Sequence, residues 1–226
     1  MRILLLFTFF IVYSNLNAQV KLGVQGGIGL SKWLSYSHSE DLYGSVYQTK
    51  ELPGLQGGIV AEIKLSNKWI IRPAIMLIEK GSVFNETNWH DTSSQKIWID
   101  YVGLPVTVLY EVYRSNSFNI RIGGGLYASY CFSGIQEGKG ISMLSGEYHI
   151  LAKVEFSNQN ENDLFPIILR PFDFGYTLNS SMQWKRFEIL LSYDQGLYNL
   201  LPNSSLYNGN YRNRTFSLSA AYFIFN

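Results

Sequence analysis

The chain has 226 residues, a formal net charge of +1 and one cysteine, Cys131. This charge offers no basic field for nucleic acid, and a single cysteine excludes an intramolecular disulfide. Because Cys131 falls within a strand pattern, we expect a packed thiol. The chain is 15% aromatic and contains 20 glycines, which is typical of a barrel whose rings mark two water interfaces and whose glycines let strands bend.

The N-terminal segment predicts export. Arg2 precedes an apolar run from Ile3 to Val12, and small and polar residues follow as far as Ala18. This is the pattern of a secretory signal peptide over residues 1–19, and no later stretch reaches the roughly 18 to 20 apolar residues of a spanning helix. No cysteine lies at the expected cleavage point, so we expect an unlipidated domain over residues 20–226.

Apolar and polar residues alternate with a period of two along the remaining chain, which predicts an all-β domain. Most of the segments exceed ten residues, whereas strands of soluble proteins average five or six and a tilted membrane strand needs about nine to eleven. The pattern therefore predicts an eight-stranded antiparallel up-and-down transmembrane β-barrel. The predicted strands are Val20–Leu34, Gly54–Ser66, Lys68–Phe84, Lys96–Tyr113, Phe118–Phe132, Leu169–Trp184, Phe187–Asn199 and Asn213–Phe225.

The predicted connections alternate between short and long. Tight turns are expected around Asn67, at Arg114–Ser117 and at Lys185–Arg186, and the longer connections are Ser35–Pro53, Asn85–Gln95, Ser133–Ile168 and Leu200–Arg212. Outer-membrane barrels have short periplasmic turns and longer outer loops, so both termini are expected in the periplasm. The longest connection contains GISMLSGEYHILAKVEFS, which either extends the neighbouring strands or forms an extra hairpin.

The tight turns allow the register to be predicted, because residues that face each other must lie on the same face of the sheet. With apolar side chains outward, the turns place Ile63 beside Ile71 and Trp184 beside Phe187 on the lipid face. The predicted interior pairs are Glu62 with Arg72, Glu111 with Arg121, and Gln183 with Glu188. Since an eight-stranded barrel is just wide enough for its own side chains, we expect these charges to fill the interior.

Local features add further expectations. Trp69, Phe118, Trp184 and Phe187 are expected to form an aromatic girdle at the turn end. Bulges are expected at two prolines inside strands, Pro73 and Pro105. The run of Gly123, Gly124 and Gly125 is followed by no helix, so it indicates close backbone approach in a barrel wall rather than a nucleotide loop.

Several of these segments together resemble the PorT-like outer-membrane β-barrel family of Bacteroidetes. The resemblance covers nearly the whole chain after residue 19 and rests on VKLGVQGGIGLS, DYVGLPVTVLYEV, NIRIGGGLYASY, FDFGYTLNSSMQWKRFEILLSYDQGLYNL and NRTFSLSAAYFIFN, in that order. It implies an eight-stranded outer-membrane barrel. Some members of that family assist protein secretion or gliding machinery, and it supplies no catalytic residue to transfer.

The residues themselves predict no catalytic, cofactor or metal site. His38, His90 and His149 fall in three different predicted loops without metal-ligand spacing. His90 with Asp91 and Ser93 could imitate part of a hydrolase triad, but these are ordinary loop residues. We therefore expect a protein without enzymatic activity.

Three functional hypotheses follow. The favoured one is an outer-membrane barrel that contacts lipid and serves as an envelope docking or secretion-accessory component, with other envelope or secretion proteins as partners and no nucleic acid. The second is a narrow porin-like channel for small solutes, which would leave interior charges unpaired around a water path. The third is a soluble lipocalin-like barrel with its apolar face inside.

Overall fold

The computed structural model describes residues 20–35, 46–87, 91–142, 146–158, 167–202 and 210–225. In these ranges the strands are β1 (Val20–Ser35), β2 (Val46–Lys50), β3 (Leu52–Lys64), β4 (Trp69–Thr87), β5 (Asp91–Arg114), β6 (Phe118–Ser142), β7 (Gly146–Lys153), β8 (Glu155–Phe156), β9 (Ile168–Leu169), β10 (Phe172–Trp184), β11 (Phe187–Gly196) and β12 (Tyr211–Phe225). Within the same ranges no helix is long and apolar enough to cross a membrane. The predicted signal peptide, residues 1–19, lies outside them and stays a prediction.

Eight of these strands close into a ring. The hydrogen-bonded order is β10, β11, β12, β1, β3, β4, β5 and β6, and β6 pairs with β10 to complete the circle. All pairs within the ring are antiparallel. The predicted all-β, eight-stranded antiparallel barrel is therefore confirmed.

The tight turns occur where they were predicted. Ile63 pairs with Ile71 across the first turn, and Glu111 pairs with Arg121 across the second. Across the two-residue turn, Trp184 pairs with Phe187. Lys185 begins this last turn with φ at 54°, in the left-handed region that lets a two-residue hairpin follow the twist of its strands. These pairs confirm the predicted registers.

The longer connections contain more strand than the sequence predicted. Asn85–Gln95 was expected to be a loop, but β4 and β5 pair through most of it, as far as Thr87 with Thr92. The connection after Phe132 likewise begins as a continuation of β6, and β7 folds back against it, so the strand extension and the extra hairpin both occur. Ser35–Pro53 contains β2 and the first residues of β3. The loop prediction was wrong for Asn85–Gln95 and for part of Ser35–Pro53. Strands in these segments do not face lipid, so their sequence does not show the apolar alternation on which the strand prediction relied.

The extended strands form a second structural unit, here called the protruding sheet. It consists of the parts of β4, β5 and β6 beyond the ring, with β2 paired to β4 at one side and β7 paired to β6 at the other. We call the barrel end that carries it the loop end, and the opposite end, which carries the tight turns, the turn end. The protruding sheet continues the barrel wall without a break in β4 and β5.

The outer face of the ring is apolar and its interior is mostly polar, as predicted. Outward side chains include Leu55, Ile59, Leu104, Leu126, Leu178 and Leu218, each about half exposed or more. Inward side chains include Glu62, Arg72, Thr107, Arg121, Ser181 and Glu188, all buried. An apolar face of this extent is not stable in water and is the surface that a barrel presents to lipid.

Aromatic rings form two bands on this outer face. At the turn end Trp69 packs on Tyr110, and Phe187 packs on Tyr222, with ring centroids 4.9 Å apart in each pair. At the loop end the pairs include Tyr130 with Phe172 and Tyr193 with Phe216. Trp184 and Phe174 lie ten residues apart on β10, which is about 34 Å along a strand and about 26 Å across the membrane at a tilt of about 40°. This matches the apolar band of an outer-membrane barrel.

The two prolines do not create the bulges that were expected. Pro73 pairs with Val106 and Pro105 pairs with Tyr127, and the register is the same on both sides of each proline. A proline removes one ladder donor without adding a residue, so the strands stay in step. The register shifts of β5 lie elsewhere, at Asp100/Tyr101 and Glu111/Tyr113.

The glycine and cysteine expectations are confirmed. A Cβ on Gly123 would lie 2.1 Å from the Val108 carbonyl oxygen, and one on Gly125 would lie 2.0 Å from that of Val106. These two positions therefore require glycine for close approach of β6 to β5. Cys131 is buried, with its Sγ 3.1 Å from the Pro171 carbonyl oxygen.

Replacing Leu126 with arginine tests which surface contacts lipid. Leu126 is 68% exposed on the outer face midway along the ring portion of β6, so Leu126→Arg is expected to lower the free energy of unfolding in phospholipid vesicles by about 2–4 kcal/mol. Leu151→Arg is the matched control, because Leu151 is 80% exposed on the protruding sheet. Urea titration followed by tryptophan fluorescence measures both. Equal losses at the two positions would contradict a lipid-facing Leu126.

Candidate functional site

The interior near the turn end contains a layer of buried charges. Five ionisable side chains from five strands of the ring meet there: Glu62, Arg72, Glu111, Arg121 and Glu188. Each is at most 5% exposed. Burying single charges would cost several kcal/mol each, so the stability of this layer depends on mutual pairing.

The shortest ion pairs of this layer cross the barrel interior. Arg72 Nη1 lies 2.6 Å from Glu188 Oε2, although β4 and β11 stand opposite each other in the ring. Arg121 Nη1 lies 2.8 Å from Glu62 Oε1, between β6 and β3. The predicted neighbour pairs also exist but are longer, at 3.8 Å for Glu62 with Arg72 and 3.8 Å for Glu111 with Arg121. The layer therefore ties opposite walls of the barrel together.

Amide side chains complete the same layer. Arg72 Nη2 donates a hydrogen bond to Gln25 Oε1 at 3.1 Å, and Arg121 Nη2 donates a hydrogen bond to Gln183 Oε1. Gln183 was predicted to face Glu188 across the hairpin, and the two residues are paired in register. The amide oxygen of Gln183 accepts its hydrogen bond from Arg121 on the neighbouring strand β6.

A second buried layer, which the sequence analysis missed, lies closer to the loop end. Lys80 Nζ is 3.3 Å from Asp173 Oδ2 and 4.4 Å from the centre of the Tyr127 ring. The Tyr127 hydroxyl and the Asn213 amide also donate to Asp173, at 3.3 and 2.8 Å. The sequence could have predicted that Lys80 points inward, since it lies an even number of residues from Arg72 on the same strand, β4.

Above this layer the interior becomes apolar, which the sequence analysis did not predict. Trp33, Tyr101 and Leu200 are buried at the loop end of the ring, together with Ile97, Ile99, Cys131, Val154 and Leu169. The short parallel pair of β8 and β9 contributes Phe156 and Leu169 to this cluster. Within the described part of the chain, these side chains pack together at the loop end of the barrel.

The described interior contains cavities on either side of the first charged layer. One of about 60 Å³ lies between the two charged layers, is lined by Arg72, Lys80, Tyr127 and Asp194 among others, and has the volume of about two water molecules in the liquid. The other, of about 180 Å³, opens at the turn end and is lined by residues that include Lys64 and Arg114. The cross-barrel ion pairs of Arg72 and Arg121 lie between the two.

The protruding sheet has charged and apolar side chains on its outer face. Lys96 on β5 pairs in register with Glu137 on β6, which pairs with Leu151 on β7. In the next row Lys139 stands beside His149. Ile135, Ile141 and Leu151 are exposed on the same face. This surface is more polar than the outer face of the ring, and it lies beyond the aromatic band at the loop end.

Ion pairs also hold the loop-end rim. Lys32 and Arg214 face each other across β1 and β12, and Glu51 lies 3.1 Å from the first and 3.4 Å from the second. The hydrogen bond from Lys32 and the two nearby positive charges hold the pKa of the Glu51 carboxyl below its usual range. Glu51 thus relieves a repulsion between like charges on adjacent strands.

The histidines and the hydrolase-like residues do not form a site among the described residues. His149 lies exposed on β7, in a strand rather than in the loop that was predicted, and His38 and His90 lie outside the described ranges. Asp91 and Ser93 belong to β5 and not to a loop. No group of three or more His, Cys, Asp or Glu side chains in the described residues could hold a metal ion.

The comparison with protein families identifies the class of protein. A family profile described as an outer membrane protein beta-barrel domain matches residues 9–201. The chain belongs to this family. An outer-membrane location follows from the family, and it agrees with the apolar outer face of the ring. A soluble lipocalin-like barrel, with its apolar face inside, is disfavoured by both observations.

Solved structures of outer-membrane proteins are also similar to this family member. OprG from Pseudomonas aeruginosa has a TM-score of 0.44 at 12% identity, covering 91% of this chain and 96% of its own. Neisserial surface protein A has a TM-score of 0.40 at 11% identity, with 89% and 96% covered. Ail, the attachment invasion locus protein of Yersinia pestis, crystallised with the heparin analogue sucrose octasulfate, has a TM-score of 0.38 at 10% identity, with 91% and 99% covered. A search of curated protein sequences returns no match.

The cross-barrel pair of Arg72 and Glu188 is testable by a double-mutant cycle. Arg72→Met is expected to lower the free energy of unfolding by about 3–5 kcal/mol, because Glu188 then stays buried without its closest partner. The double variant Arg72→Met with Glu188→Met is expected to lose less than the sum of the two single variants. Urea unfolding in detergent micelles measures all four proteins, and strictly additive losses would show that the pair is not coupled.

Proposed function

We propose that this outer-membrane barrel is a non-enzymatic, non-conducting docking component of the cell envelope that binds a partner protein through its protruding sheet. The observation that carries the proposal is the edge of β7. β7 pairs with β6 on one side, and no described strand pairs with it on the other. An unpaired strand edge outside the membrane is a template on which an extended segment of another protein can form an additional strand.

The backbone geometry identifies the residues that offer this edge. The Val154 N–H donates to the Gly134 carbonyl oxygen at 2.9 Å, so the strand residues of the same parity, such as Ile150 and Ala152, direct their backbone groups toward β6. His149 and Leu151, of opposite parity, direct theirs away from β6. Main-chain hydrogen bonds would supply affinity, and the side chains beside them would select the partner.

The orientation forms part of the same proposal. We place the turn end and both chain termini in the periplasm and the protruding sheet on the outer side of the cell. The contrast between two- to four-residue turns at one end and strands that continue far beyond the ring at the other supports this assignment. We also assign the chain to the PorT-like branch of the family, where an accessory role in secretion or gliding is a specific form of docking.

The packing of the interior supports a barrel that does not conduct. An apolar cluster around Trp33 and Leu200 fills the loop end. Ion pairs that span the barrel separate the two cavities near the turn end. A porin-like path would need these side chains to move apart. Purified protein in planar lipid bilayers is accordingly expected to give no stepwise current, and discrete conductance steps would instead support the channel.

Partner capture tests the β7 edge. Leu151→Pro removes one N–H that points away from β6, whereas Leu151→Ala keeps that N–H and removes only the exposed side chain. Tagged full-length protein is extracted from envelopes in mild detergent, and the bound proteins are identified by mass spectrometry. The expected result is a partner that binds the wild type and the alanine variant but is reduced at least fivefold with proline.

Heat-modifiable migration on a denaturing gel verifies that each of these variants is a folded barrel before capture is compared. A partner retained equally by the proline variant would place docking elsewhere, and the absence of any wild-type partner would contradict the docking role.

A further inference from the structure

The cavity at the turn end has more basic than acidic residues in its lining. We call it the basic vestibule. It has a volume of about 180 Å³, and four of its lining residues are basic and two are acidic. The residues are Lys21, Glu62, Lys64, Ile70, Glu111, Arg114, Asn119 and Arg121. The cavity between the two charged layers is lined by two basic residues, Arg72 and Lys80, and one acidic residue, Asp194. The lining at the open turn end therefore has the larger positive excess of these two cavities.

Both acidic residues of the vestibule are already engaged. Glu62 contacts Arg121 at 2.8 Å, and Glu111 accepts a hydrogen bond from Arg114. These contacts leave Lys21 and Lys64, which have no carboxylate within 4 Å among the described residues. Both are only partly exposed. The vestibule thus has two ammonium groups at its rim that lack a carboxylate in direct contact.

The base of the vestibule contains a buried donor without an acceptor. Arg121 is 3% exposed, and its Nε has no hydrogen-bond partner in the protein; its nearest carboxylate oxygen, Glu111 Oε2, is 3.8 Å away. Buried donors are nearly always satisfied by protein, water or a ligand. A donor of this kind, beneath two unpaired lysines in an open cavity, is the arrangement expected of an anion site.

We propose that the basic vestibule binds a compact anionic group, a carboxylate or a phosphate, from the periplasmic side. The volume equals about six water molecules in the liquid, which suits one such group with a few neighbouring atoms. It is smaller than the roughly 300–1,000 Å³ pockets that enclose drug-sized molecules. Two sources have the required chemistry: free inorganic phosphate, or the terminal carboxylate of a peptide chain.

This site is independent of the docking edge on β7. The vestibule lies at the turn end and the β7 edge lies at the loop end, with the Lys80–Asp173 layer and the apolar cluster between them. The loss of one activity therefore does not predict the loss of the other. Only the statement that the anion comes from the periplasm rests on the proposed orientation.

Binding of small anions to the full-length protein in detergent micelles tests the proposal. The probes are inorganic phosphate, N-acetylalanine with its free carboxylate, and N-acetylalanine amide as the uncharged counterpart. Isothermal titration calorimetry is expected to show saturable binding of at least one anion and none of the amide. The double variant Lys21→Gln/Lys64→Gln is expected to weaken binding at least tenfold.

The control variant also removes two positive charges, but from lysines that lie outside the vestibule. Lys68 and Lys185 are exposed in two of the turns at the same end of the barrel and do not line the cavity. Lys68→Gln/Lys185→Gln is therefore expected to bind the anion within about twofold of wild type. Equal losses in the two double variants would indicate attraction by net charge alone and would overturn the site.

The remaining outcomes are equally decisive. Binding of phosphate without N-acetylalanine identifies a free-anion site, and binding of N-acetylalanine alone identifies a site for a chain terminus. Binding of both leaves the site a general anion receptor. Absence of saturable binding in the wild type, or binding of the amide as strong as that of the acid, would overturn the proposal.

Discussion

Closure of the β-ring by backbone hydrogen bonds is the constraint on which the rest of the molecule depends. A lipid bilayer offers no partner for a free N–H or C=O, so strands can cross it only when each is paired on both sides. The seams between β1 and β12 and between β6 and β10 satisfy this condition over more than a dozen residues each. Outside the bilayer the condition no longer holds, and there β7 has a side with no described partner.

Closure also determines how the barrel interior is packed. Inward side chains extend toward the opposite wall and fill the narrow interior of an eight-stranded barrel, where they form successive layers along the barrel axis. The guanidinium groups of Arg72 and Arg121 are long enough to reach carboxylates on distant strands. Ionic layers and an apolar cluster are thus stacked along one axis, with the most basic part of the stack at the turn end.

The features that could be predicted from the sequence are those that depend on the period of apolar residues and on the length of the turns. The alternation predicted the eight ring strands, and the tight turns predicted the pairs of Ile63 with Ile71 and Glu111 with Arg121. The pair of Arg72 with Glu188 was missed because it depends on the closed circumference and not on neighbouring strands. The strand extensions of β4 and β5 beyond the ring were missed for another reason. Because this part of β5 has no face toward lipid, residues such as Ser93 to Gln95 show no apolar alternation, and the sequence therefore predicted a loop there.

The β4–β5 ladder keeps one register from the ring into the protruding sheet, so the sheet continues the barrel wall. A partner that pulls outward on β7 loads the β6–β7 ladder along the strand direction, so that its hydrogen bonds share the force and do not open one by one. The same pull is transmitted through β6 to the ring and then to the bilayer. In the docking role proposed above, a ladder loaded in this direction would bear sustained tension between the cell and the bound partner.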